Sequence, residues 1–185
     1  PMSYFKSMGI DPNRVLHKPI NDVEELKHDV TNLLVNDIDK EDKVVIFIDS
    51  IGNLASRKEA EDAENNKQVA DMTRAKQLKS LFRIVTPHLT TKDIPMVVIN
   101  HTYETLEIFS KQVVSGGKGS YYSSDWIWII GRQQEKKAGA KEIEGYNFII
   151  NIEKSRHVKE KSKLPLTVTW DKGLYKYSGL LDMAL

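Results

Sequence analysis

The chain contains no cysteine, which excludes disulfides and thiolate metal centres and is compatible with a reducing compartment. No apolar run approaches the roughly 20 residues that a membrane span needs, and no signal peptide opens the chain. Charge of one sign is not in excess either. Lys and Arg total 27 against 26 Asp and Glu, a formal net charge of +1. That balance argues neither for nor against nucleic acid, so any basic surface has to be local. Internal repeats and low-complexity segments are absent. So is any stretch reading G-x-x-x-x-G-K-[ST], the loop whose amides cradle nucleotide phosphates.

What is there is ordinary in bulk. The 185 residues, 40% hydrophobic and 29% charged, suffice for one domain with a substantial core. The chain starts Pro1-Met2-Ser3 and stops in the apolar Leu180-Leu181-Asp182-Met183-Ala184-Leu185. Both ends are expected to be cuts through a longer protein.

Helix and strand patterns alternate early, and strands follow one another late. Tyr4 to Met8 reads as the end of a short helix stopped by Gly9, and Val15-Leu16-His17 as a short strand. Asn21 and Glu24 have capping spacing ahead of an amphipathic helix marked by Val23, Leu26, Val30 and Leu33-Leu34. Val44 to Ile48 is an apolar strand that delivers Asp49 and Ser50 at its carboxyl end. The charged segment 55–66 reads as an exposed loop or frayed helix. Val69, Met72, Ala75, Leu78, Phe82 and Val85 then mark a long helix ending before Pro87. Ile94 to His101 is a second apolar strand. Thr102 to Ser115 has no clear period and leads into Gly116-Gly117. Trp126 to Ile130, Phe148 to Ile152 and Pro165 to Trp170 are later strands, the last turned by Asp171-Lys172-Gly173. This order predicts an α/β fold, a mostly parallel sheet extended by antiparallel strands.

Four constellations carry chemistry, each beside a plainer reading. Ligands of open α/β sheets sit at the carboxyl ends of parallel strands. Asp49 there suits a metal ion on a nucleotide, or simply caps a turn. Asn100-His101, ending the next strand, would sense a γ-phosphate, or would satisfy backbone groups. The stretch 102–117 combines Tyr103, Phe109 and a Gly-Gly hinge. It would order on single-stranded DNA, or serve as an ordinary loop, since Glu104 and Glu107 outweigh Lys111. Lys154 and Arg156, one residue apart on a strand, would project from one face and clamp phosphates from a neighbouring subunit, or form a solvated cationic edge. Trp126 and Trp128, at period two, read as core or interface packing rather than a base-stacking platform.

The order of these features resembles the RecA family, among it the UvsX recombinases of T-even-like phages. Val44 to Ser50, Gly52 to Glu59, Met72-Thr73-Arg74-Ala75-Lys76 and Ile99 to Thr105 carry the resemblance. Gly116-Gly117, Glu153-Lys154-Ser155-Arg156, Lys159 to Lys163 and Tyr177 to Leu185 continue it to the end of the chain. It implies a RecA-like P-loop ATPase core: a mostly parallel central sheet flanked by helices, with antiparallel strands at the C-terminal end. Residues 1–185 would be one partial domain.

The resemblance implies ATP and Mg2+ as cofactors. Asp49 would be the metal-holding Walker B carboxylate and, with His101, the catalytic pair. Ser50 and Asn100 would join them around the nucleotide, Tyr4 would stack on adenine, and Lys154 and Arg156 would reach across a filament interface. Bacterial members usually carry Gln where His101 stands, and Lys at both cationic positions. DNA contacts are implied for Arg57, Lys58, Arg74, Thr102, Tyr103, Phe109, Lys111, Gly116 and Gly117, around two loops at 53–67 and 102–115. The implied partners are single-stranded and double-stranded DNA, further copies in a filament, and single-strand-binding and mediator proteins, in the host cytoplasm and away from membranes. The parent protein would be a DNA-dependent ATPase that pairs homologous strands and exchanges them. Its phosphate loop and catalytic Glu would lie upstream of Pro1, so the 185 residues alone are expected to be inactive. The alternative is a non-catalytic DNA-binding or assembly module with the same fold and a decayed nucleotide site.

Overall fold

The computed structural model describes residues 2–7, 9–65, 72–104, 112–135, 144–171, 173–174 and 177–180. It divides into two compact units, Pro1–Ser123 and Ser124–Leu185. The residues outside the described set include Met8, Val69, Glu107, Phe109 and Lys111, and the side chains of Tyr4 and Glu104 are outside it too.

In the first unit, helix α1 (Met2–Ser7) is closed by Gly9 at φ 77°. The amides of Gly9 and Ile10 return to Lys6 O and Phe5 O, a left-handed exit that a Cβ would disfavour. No strand forms at 15–17: Leu16 is 82% exposed and has no neighbouring strand to pair with among the described residues. Helix α2 (Val23–Asn32) runs on into a wider turn, Leu33–Asp37. Its cap is Asp22, whose side chain accepts from Glu25 N at 2.6 Å, and the Glu25 carboxylate reaches back to Asn21 N at 2.8 Å. The capping pair therefore sits one residue later than the spacing of Asn21 and Glu24 suggested.

Strand β1 (Ile46–Ile48) is followed by helix α3 (Arg57–Glu64) and helix α4 (Thr73–Lys92), which lead to strand β2 (Met96–Val98). β1 and β2 pair in parallel, with Ile46 opposite Met96 and Ile48 opposite Val98. Parallel neighbours need a long crossover, and α3 and α4 lie within it. Segment 57–64 is helical, not a loop, because Ser56 and Glu59 form a reciprocal capping box.

α4 does not end at Pro87 but runs through it to Lys92. A proline forfeits one helical bond. Here Thr86, Thr90 and Thr91 hydroxyls donate to carbonyls four residues back, at 2.6, 3.0 and 2.8 Å, and Lys92 Nζ anchors the far end on Leu34 O at 2.6 Å and on Ile38 O. Asp93, at φ 54°, turns the chain out.

Val23, Leu26, Val30, Leu34 and Ile38 meet Leu78, Leu81, Phe82 and Val85 in one core, sealed by Ile46, Ile48, Ile51 and Ile94. The opposite face of the parallel pair carries exposed apolar side chains. Val45, Phe47, Val97 and Ile99 are exposed, so the continuous apolar strand is buried on one face alone. Beyond β2, the supposed loop at 102–115 has a regular stem. Strands β3 (Thr102–Glu104) and β4 (Gln112–Val114) pair antiparallel, Tyr103 opposite Val113. A short helix α5 (Lys118–Ser123) follows, where a Cβ on Gly119 would stand 2.9 Å from Lys79 Cα.

The second unit is an antiparallel sheet of β5 (Ile127–Glu135), β6 (Gly145–Lys154), β7 (Lys163–Thr169) and β8 (Gly173–Leu174), in that order. All three late strands read from the sequence are present and longer than expected. Arg132 lies over the Tyr146 ring, 4.5 Å from its centre, and Trp170 meets the same ring edge-on. Trp126 and Trp128 are not core: they stand 40% and 56% exposed, with ring centres 6.2 Å apart. Among the described residues the sheets are therefore mainly antiparallel, with one parallel pair rather than a mostly parallel sheet. No helix among the described residues is long and apolar enough to cross a membrane.

Candidate functional site

Parallel pairing brings the polar ends of β1 and β2 together. Ile99 N donates to Ile48 O at 2.9 Å, and Ile51 N donates to Ile99 O at 3.0 Å. Asp49 and Ser50, joined by a cis peptide, thus flank Ile99, one residue ahead of Asn100. The Asp49 carboxylate is exposed and available to a ligand.

Past Ser50 the chain makes a tight turn, Ile51–Asn53, that comes back under His101. A Cβ on Gly52 would overlap the imidazole Cδ2, and Asn53 Oδ1 lies 3.1 Å from Nε2. Glycine is required there by close approach of a ring. Asn100 faces the other way. Its Nδ2 donates to Ser115 O at 2.7 Å, its Oδ1 accepts from His101 N at 2.9 Å, and Ser115 N donates to His101 O at 2.9 Å. One amide side chain therefore ties the end of β2 to the base of the β3–β4 ribbon. Gly116 and Gly117 follow at φ 86° and 80°, and a Cβ on Gly116 would stand 2.7 Å from Leu78 Cδ1.

The structure thus gathers Asp49, Ser50, Asn100 and His101 into one locus with Gly116 and Gly117 beside it. Gly52 and Asn53, which sequence reasoning did not single out as site residues, belong there too. Only the Gly at a strand-to-turn exit hinted at them.

The remaining candidates are placed differently. Thr102 and Tyr103 are exposed on β3. Arg57 and Lys58 open α3, but Arg57 Nε is paired with Asp22 Oδ2 at 3.0 Å and its amide with Glu24 Oε2 at 3.1 Å. The hydrogen bond to Asp22, with the charges of Asp22, Glu24 and Glu25, raises the Arg57 pKa. A phosphate would have to compete with that acidic surround. Arg74 is half-buried and bonded to main-chain carbonyls.

In the second unit, β6 ends at Lys154. Arg156 lies in a bend organised by Ser155 Oγ, which accepts from His157 N and Val158 N at 3.0 Å each. Period-two projection of the two cations from one strand face therefore fails. Arg156 Nε pairs with Asp125 Oδ1 at 2.7 Å, both side chains being more than half exposed, and His157 leans on Trp126, ring centres 6.0 Å apart.

Whether this locus suits a magnesium nucleotide can be tested on its donors. An exposed carboxylate such as that of Asp49 fits Mg2+, which keeps several waters and takes one or two carboxylates. Among the described residues no cluster of three or more His, Asp or Glu forms an all-protein metal cage. The residues fit one side of a nucleotide site.

The α/β fold has a counterpart in a solved recombinase. The crystal structure of the RadB recombinase superposes on 94% of this chain and 70% of its own, with a TM-score of 0.56 at 17% identity, a likeness of fold alone. By sequence, the chain is 57% identical over 183 residues to the "Recombination and repair protein" of Enterobacteria phage T4. The match takes in 99% of this chain and 46% of that relative, so the chain spans about half the relative's length. The resemblance read from the residues is borne out. No protein-family model matches the chain.

Proposed function

We propose that the chain is part of the ATPase core of a recombinase that forms filaments on single-stranded DNA and exchanges homologous strands, with both units inside that core. The observation that carries this reading is the Asn100 bridge. The Asn100 side chain, at the polar end of the parallel pair, bonds directly to Ser115 at the base of the β3–β4 ribbon, a connection through which ATP could be coupled to DNA. The kinship with a recombination and repair protein agrees with it.

Bound Mg-ATP would supply the phosphoryl chemistry. Asp49 would hold the hydrated ion, and His101 would meet the phosphate end and report it through Asn100 to the ribbon. Lys154 and Arg156 would serve the nucleotide of a neighbouring copy. Tyr103 and, outside the described residues, Phe109 and Lys111 would face DNA. The pair Arg156–Asp125 is exposed and contributes at most about 1 kcal/mol to stability, so it opens readily for such a contact.

The test uses the protein that carries these residues together with a phosphate loop. Single-stranded DNA should stimulate its ATP hydrolysis, and Asn100→Ala should cut that stimulation about tenfold, the worth of roughly 1.4 kcal/mol. Lys154→Ala should reduce it at high protein concentration. Turnover indifferent to single-stranded DNA in the unmodified protein would sink the reading and favour a binding or assembly module.

A further inference from the structure

Arg74 lies in the first turn of α4 and points its guanidinium at one turn of backbone. Nε donates to Leu54 O at 2.7 Å, while Nη2 donates to Ile51 O at 2.7 Å and to Gly52 O at 3.1 Å. A planar fork can satisfy carbonyls on both sides of such a turn, which a lysine ammonium cannot do in the same geometry. The turn it holds carries the two groups that meet His101: Gly52 beneath the ring and Asn53 Oδ1 at Nε2. Nη1 extends to the other side, 3.8 Å from where a Cβ on Gly116 would stand.

We propose that Arg74 is a positioning residue that fixes the 51–54 turn and, through Gly52 and Asn53, the orientation of the His101 ring. This deepens the reading of His101 as the phosphate-facing group and rests on it for its purpose. It also reassigns Arg74, for which the family resemblance implied a grip on the DNA backbone. Moving the guanidinium onto a phosphate would strip the Ile51, Gly52 and Leu54 carbonyls of this donor.

The deciding experiment is NMR on the 185-residue chain without nucleotide or DNA. Wild type should show a proton contact between the His101 ring and Gly52 Hα, identified by its disappearance in His101→Gln, and an Arg74 Nε–H that exchanges slowly with water. Arg74→Lys and Asn53→Ala should each lose the ring contact while amides of Val30 and Leu81 stay protected. Ring contact retained in folded Arg74→Lys would leave Arg74 a merely structural residue and overturn the proposal. An Nε–H in wild type that exchanges as fast as that of exposed Arg83 would overturn it without any variant.

A second arm separates this proposal from the functional one. If Arg74 touches phosphate, Arg74→Gln in the DNA-binding protein shallows the salt dependence of single-strand affinity by about 0.7 in log–log slope; positioning predicts an unchanged slope. Complete absence of DNA binding would sink the proposed function and leave the ring-contact result standing.

Discussion

Asp22 serves two elements with one carboxylate, capping α2 through Glu25 N and pairing with Arg57. Burial is the largest single influence on its pKa and works upward. The bonds from Glu25 N and Arg57, with the Arg57 charge, together outweigh it and leave the carboxyl below its ordinary value. Asp29 is lowered too, first by the hydrogen bond from Lys18, 2.6 Å away, against the opposing effect of burial. A carboxyl depressed on folding adds stability above its unfolded pKa, and that stability is lost as pH falls through the folded value. The chain should therefore lose stability as pH drops below about 4. Asp22→Asn and Asp29→Asn should each flatten that loss. Urea midpoints measured from pH 7 to pH 2.5 check this, and an unchanged slope in both variants would contradict it. At this scale the sequence revealed residue types but not their company. Asp49, Asn100 and His101 were legible because strand ends are legible. Arg74 was not, because a cation in a helix reads the same whether it faces phosphate or a carbonyl twenty residues back in sequence.

Elements show where local rules compete. Pro87 was a reasonable stop for α4, since proline breaks one bond of the ladder. Burial of Leu78, Leu81, Phe82 and Val85, with Leu89 packed against the same core, carries the helix past it. Pro87 is exposed, so Pro87→Ala restores a helical N–H without opening a cavity. That variant should be more stable, by up to about 3 kcal/mol, in thermal melts followed by helical circular dichroism. An equal or lower melting temperature would mean the proline already suits a bend in the helix. The β3–β4 ribbon was illegible for the opposite reason. Three-residue strands show too few alternations to register a period, and their pairing depends on Asn100 and Ser115 holding the stem. β5, β6 and β7 were legible because seven to ten residues give pattern enough.

At the level of the whole molecule, the α/β class and the order of elements could be read from hydrophobic runs. The balance of parallel and antiparallel pairing could not, because an apolar run does not state the direction of its neighbour. The structure also shows a surface that the runs concealed. Val45, Phe47, Val97 and Ile99, exposed by 46%, 65%, 45% and 47%, lie side by side on a pair of strands whose other face is sealed in the core. Fluorescent dyes such as ANS seek such surface, and their brightness is ordinarily taken as a sign of lost packing. This chain should light the dye while still unfolding in one cooperative step, and Phe47→Ser should dim it without lowering the melting temperature. Background fluorescence from the folded chain would show that the face is covered. A bright signal here would report a bare sheet face over an intact core.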